Sequence, residues 1–91
     1  MSIPAFRASL APGTTLTRIE GKQVLFSVRT GESYGLNEMA AEMLRRLFDS
    51  DSQAAALALS SEYAAPAADI AHDLHELATE LAGLRLIVLE K

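Results

Sequence analysis

There is no cysteine among these 91 residues and no tryptophan. Disulfides, thiolate nucleophiles and Cys-ligated zinc or iron–sulfur centres are thereby excluded. Aromatic residues make up 5% of the chain against a hydrophobic share of 49%, so Leu, Val, Ile and Ala must fill the interior. No apolar stretch reaches the ~18 residues that span a bilayer. The first residues, Met1-Ser-Ile-Pro-Ala-Phe-Arg, lack the charged segment and long apolar run of an export signal. A cytoplasmic protein without a membrane partner is expected. The glycines stand alone at Gly13, Gly21, Gly31, Gly35 and Gly83, so no phosphate-cradling loop can be built and no cofactor is expected. The serines fall in turns and caps with no glycine-flanked nucleophile turn, which argues against a catalytic residue and against an enzyme.

Positive charge is also scarce. The net charge is −4, and from Pro66 to Ala82 there is no Lys or Arg while Asp69, Asp73, Glu76 and Glu80 are present. Such a stretch repels phosphate backbones, so nucleic acid is not an expected partner.

The length suits one domain. Residues 1–13 hold two of the three prolines, Pro4 and Pro12, and read as an N-terminal arm or edge strand; residues 14–91 read as the domain proper. From Thr14 two β-rich runs flank Gly21-Lys22, the signature of a hairpin with a glycine-first turn. In the second run Val24, Phe26 and Val28 alternate with polar residues and are expected to form its buried face, with Leu25 the exception. A turn at Thr30-Gly31-Glu32 leads to a short third strand, Ser33 to Leu36, in which Tyr34 and Leu36 point the same way.

Asn37 is placed to cap a first helix whose apolar positions are Ala40, Met43, Leu44 and Leu47, with Glu42 and Arg46 an i,i+4 pair. A second helix is capped by Ser50, with Gln53 completing a capping box, or by Ser52, and runs to about Tyr63. Pro66 suits the first position of a third helix that carries Ile70, Leu74, Leu77 and Leu81 and stops at Gly83. The apolar tail from Leu84 is either a returning strand or a segment plugged into the core. These elements predict an α+β fold, a winged helix-turn-helix in which a three-stranded antiparallel β-sheet is followed by three α-helices.

Two features invite chemistry. His72 and His75 lie near Asp69 and Glu76, but residues three apart project about 60° from one another on a helix, and such groups are most often solvated surface. No metal site is assigned. The strand Ser33 to Leu36 has little charge and no proline to block its edge, so an extended peptide could add there. The arm, the tail or a second copy could cover the same edge, and periodicity does not choose among them.

The stretch Thr30-Gly-Glu-Ser-Tyr-Gly-Leu-Asn-Glu-Met-Ala-Ala-Glu-Met-Leu resembles the PqqD family, and Ser52, Tyr63, Pro66, Asp73-Leu74, Leu77, Leu81 and the closing Gly-Leu agree in order and spacing. The resemblance runs from about Pro12 onward. It implies a stand-alone module that binds the leader segment of a ribosomally made precursor peptide in a cleft between third strand and third helix, the leader antiparallel to the strand. Carried onto this chain, Ser33, Tyr34, Gly35 and Leu36 would offer backbone partners, and Asp69, Asp73, Leu74, Glu76, Leu77 and Glu80 of the third helix the opposite wall. Either the acidic flank or the flank of Ala67, Ala71, Ala78 and His75 could face the cleft. The implied partners are the precursor peptide and a leader protease or radical SAM maturation enzyme, in pyrroloquinoline-quinone, lasso-peptide or another ribosomal-peptide pathway, with the module a monomer or homodimer. The rival readings are a winged-helix DNA-binding regulator and a structural subunit that dimerises through the same strand edge.

Overall fold

The computed structural model describes residues 4–90. Its elements are β1 (Arg7–Leu10), β2 (Thr14–Ile19), β3 (Lys22–Ser27), β4 (Ser33–Leu36), α1 (Glu38–Asp49), α2 (Ser52–Tyr63), α3 (Ala67–Gly83) and β5 (Ile87–Glu90). Strands β2, β3 and β4 form an antiparallel sheet in that order, and the three helices follow it. This is the expected α+β winged helix-turn-helix, with one addition: β1 and β5 pair in a separate two-stranded ribbon. The portions of the predicted arm and tail in residues 1–3 and 91 lie outside the described residues. No helix among the described residues is long and apolar enough to cross a membrane.

The hairpin turns one residue earlier than Gly21-Lys22. Ile19 pairs with Lys22, so the loop is Glu20-Gly21, with φ of 51° and 81°. Two left-handed residues make the type I′ turn whose twist matches the flanking strands, and glycine at the second position relieves half of its steric cost.

The polarity of β3 is the reverse of the expectation. Leu25 is 0% exposed and Ser27 1%, whereas Val28 is 73% and Phe26 40% exposed. Leu25 sits between its cross-strand partners Leu16 and Tyr34, which fixes the inward row. Ser27 can be buried because its hydroxyl oxygen accepts from the amides of Arg29 at 3.2 Å and Thr30 at 3.3 Å, so the turn satisfies it locally. Hydrophobic alternation misleads where the polar member of the buried row has partners of its own.

Helix α1 begins as expected: the Asn37 side chain accepts from the Ala40 amide at 2.7 Å. It buries Ala41, Met43, Leu44 and Leu47, with Ala40 half-buried, and Glu42 meets both Arg45 and Arg46 on the outer face. Helix α2 is capped by Asp51, whose carboxylate accepts from Ala54 at 2.8 Å, and not by Ser50 or Ser52. Ser52 is otherwise engaged. Its hydroxyl accepts from the Phe6 amide at 2.9 Å, and its own amide donates to the Phe6 carbonyl at 2.8 Å.

Helix α3 starts at Ala67, with Pro66 as its N-cap rather than its first helical residue. It ends at Gly83 as expected, in a Schellman turn whose left-handed residue lies two positions further on. Leu86 donates to Leu81 and Arg85 to Ala82, both at 3.0 Å, and Arg85 holds the left-handed position at φ 62°. The accompanying apolar contact is supplied by Leu81 and Leu86, both fully buried. The tail therefore does both things asked of it: Leu86 and Ile87 enter the core, and β5 returns as a strand beside β1. Phe6, at the head of β1, joins the same core, packing edge to face on His75 at a 6.0 Å centroid distance.

Candidate functional site

The register of the three-stranded sheet determines which backbone groups are free. Val28 donates its amide to Gly13, on the β2 side, and Ser27 donates to Glu32, on the β4 side. Antiparallel pairing alternates, so Gln23 and Leu25 direct their amides and carbonyls toward Leu36 and Tyr34. Within β4, Tyr34 and Leu36 thus spend their backbone groups on β3. Ser33 and Gly35 turn theirs outward, to the edge where no described strand pairs.

Side chains divide the other way. Tyr34 and Leu36 point inward, half-buried and buried, while Ser33 and Gly35 are exposed. The Tyr34 hydroxyl reaches α3 and donates to Glu80 Oε2 at 3.1 Å. That hydrogen bond to a carboxylate, with a smaller contribution from burial, raises the Tyr34 pKa above its ordinary value.

The Tyr34–Glu80 contact also orients the third helix. Its acidic flank, with half-buried Leu77 at the border, faces β4; the opposite flank, with His75 on Phe6 and half-buried Ala71, faces the arm. Of the residues named from the sequence, the structure brings together Tyr34, Leu36 and Glu80 around the open edge. Leu74 is fully buried in the core. Asp69 and Asp73 are exposed on the same flank, but Asp69 lies about 16 Å along the helix from Glu80. Glu76 turns toward His72, at 2.6 Å. Among the described residues no group of three or more His, Asp and Glu is placed to hold a metal ion.

An open depression of about 740 Å³ adjoins the Leu36 end of β4, lined in part by Arg18, Lys22, Gly35 and Glu38. Arg18 and Lys22 were not among the residues expected here, because only the hairpin register carries them to this end of the strand. A second depression, of about 630 Å³, lies under the arm between α2 and α3 and shares no residue with β4.

A wing whose outer strand has no partner among the described residues, packed beside a helix-turn-helix whose last helix is acidic, defines the class: a winged-helix scaffold with an open sheet edge. Residues 22–87 match the model of the family "Coenzyme PQQ synthesis protein D (PqqD)", and the chain belongs to that family. Among solved structures it is similar to lasso peptide synthetase B1 complexed with the leader peptide. That likeness has a TM-score of 0.83 at 29% identity, over 90% of this chain and 98% of that one. It is also similar in fold to TbiB1 in complex with the TbiA(beta) leader peptide, with a TM-score of 0.77 at 20% identity, over 86% of this chain and 92% of that one. No curated protein matches the chain.

Proposed function

We propose that this protein binds the leader segment of a ribosomally made precursor peptide as an added strand on β4, and presents it to a separate modifying enzyme or leader protease. The observation that carries this reading is the outward pair of backbone amides and carbonyls at Ser33 and Gly35, opposite the acidic flank of α3. Family membership supports it, as does the likeness to a synthetase solved with its leader peptide. Main-chain pairing supplies affinity with little regard to sequence, and the adjacent side chains supply selectivity. Tyr34, Leu36 and Leu77 form the apolar part of the wall, with Leu74 behind them. Glu80 and, further along, Asp69, Asp73 and Glu76 favour basic residues in the leader.

In this reading residues 14–91 carry recognition and residues 1–13 brace them. The protein contributes no catalytic group; it lowers the entropic cost of delivering a flexible substrate by holding it near the enzyme, in the cytoplasm. The acidic, cation-free α3 disfavours the reading as a DNA-binding regulator, since that helix would enter the major groove.

Titration calorimetry with the leader peptide encoded beside this gene tests the proposal. One peptide per chain is expected at low micromolar concentration or below. Absence of binding at high micromolar concentration overturns it.

A further inference from the structure

Among the described residues, Glu80 is the acidic side chain of α3 that the structure ties to the open strand. Its Oε2 accepts from the Tyr34 hydroxyl at 3.1 Å. Its Oε1 has no hydrogen-bond partner among the described residues, and no Lys, Arg or His there forms an ion pair with it. Glu76, by contrast, is turned to His72.

An exposed glutamate on a helix samples several rotamers, and fixing it on binding costs entropy. Tyr34 fixes this one before any ligand arrives. The raised Tyr34 pKa keeps the phenol protonated, so it acts as a neutral donor and leaves the charge of the carboxylate uncompensated. A tethered carboxylate with a free oxygen, set beside an open strand, is an acceptor prepared for a cation.

Which residue of an added strand reaches it follows from the pleat. Side chains alternate whichever way the peptide runs, so the residue level with Tyr34 shares its inward direction and both its neighbours point outward. Tyr34 spends its backbone groups on β3. In an antiparallel peptide the residue facing it is therefore in a non-hydrogen-bonded pair, where side chains stand closest, with Cβ atoms ~4.5–5.5 Å apart. Asp73 lies about 10 Å along the helix axis from Glu80, and Asp69 further still.

We propose that Glu80 is the charge-selecting residue of the peptide site, that Tyr34 is its positioning residue, and that together they select a Lys or Arg at the single leader position level with Tyr34. The proposal rests on the peptide-binding reading above and narrows it. Asp69, Asp73 and Glu76 supply a general negative field, and Glu80 supplies the point contact.

The test takes the full chain, the leader peptide encoded beside the gene, and copies of that leader in which each Lys and Arg in turn is replaced by Gln. At low salt one replacement should weaken binding about fivefold and the others less than about 1.5-fold. Glu80→Gln should abolish the penalty for that one replacement, whereas Asp73→Asn and Glu76→Gln, which thin the general field, should leave it in place. Glu80→Lys should instead favour a leader with Glu at that position. Tyr34→Phe keeps the ring and should cut the discrimination to about twofold, a readout that a packing role alone would not move. Glu80, Asp73 and Glu76 are exposed and Phe conserves the Tyr34 ring, so the fold is expected to persist, which circular dichroism checks. A leader that binds without any basic residue, a penalty spread evenly over several replacements, or a penalty that survives Glu80→Gln would each overturn the proposal. Full discrimination in Tyr34→Phe would overturn the positioning role. Failure of the wild-type chain to bind the unaltered leader would instead strike the preceding reading, and that measurement contains no variant.

Discussion

Strands β1 and β4 are both four residues long, Arg-Ala-Ser-Leu and Ser-Tyr-Gly-Leu. Each has a serine, one very small residue and a final leucine, yet their surroundings differ. The chain supplies β1 with a partner of its own, β5, in register from Arg7 opposite Glu90 to Leu10 opposite Ile87. It then pins the start of that strand through Phe6 and Ser52. The outer edge of β4 has no such partner among the described residues. An unpaired edge invites association, and proteins usually shield one with charge, proline or a covering segment. One fold thus closes one short strand and leaves another open, and the openness belongs to topology rather than to composition.

The largest effect is expected where β1 is pinned. Phe6→Ala removes a buried aromatic ring and should cost ~3–5 kcal/mol in urea unfolding. In hydrogen exchange, the β1–β5 amides should lose protection before those of β2 and β3. An unchanged midpoint would mean that the ribbon is ornamental and that the contrast with β4 is empty.

A smaller effect sharpens the other side. Gly35→Pro removes an outward amide and should weaken leader binding about tenfold, ~1.4 kcal/mol. Gly35→Ala should stay within about twofold of wild type, because a Cβ there meets nothing within 4 Å. In the free protein the amides of Ser33 and Gly35 should exchange faster than those of Tyr34 and Leu36, and should slow once leader is added. Equal exchange of all four would contradict the assigned register.

The smallest effect concerns the contact that joins β4 to α3. Because the folded pKa of Tyr34 is raised, the contribution of its hydrogen bond to Glu80 is fully present below the ordinary tyrosine value and is lost as pH rises through the raised one. Absorbance titration in a Tyr63→Phe background should show this late ionisation, and Glu80→Gln should move it back toward the ordinary value. Titration of Tyr34 at the same pH with and without the Glu80 carboxylate would show that the strand and helix are not coupled through this pair.

Much of this molecule is legible locally. The Asn37 cap, the α1 stripe and the glycine of the hairpin lie within a few residues of what they determine, and each occurs at or within one residue of its expected place. The features that escaped are long-range. Nothing near Arg7 announces a partner at Glu90, and nothing near Ser52 announces that its hydroxyl serves Phe6 instead of its own helix. The inverted face of β3 escaped because Ser27 is satisfied by a turn that periodicity does not weigh. For the site, the sequence pattern located the open strand but could not say which flank of α3 approached it. That is a question of helix rotation, answered by Tyr34 meeting Glu80 on one side and Phe6 meeting His75 on the other.

The ribbon of β1 and β5 has a consequence for how the fold can be carried. With Arg7 opposite Glu90, the first and last strands lie side by side and form one doorway, in a different sheet from β4. A domain with neighbouring ends tolerates being hung from a loop of a larger protein. This one could be spliced into a host by that doorway, as a pendant cassette, with the register of its working strand undisturbed.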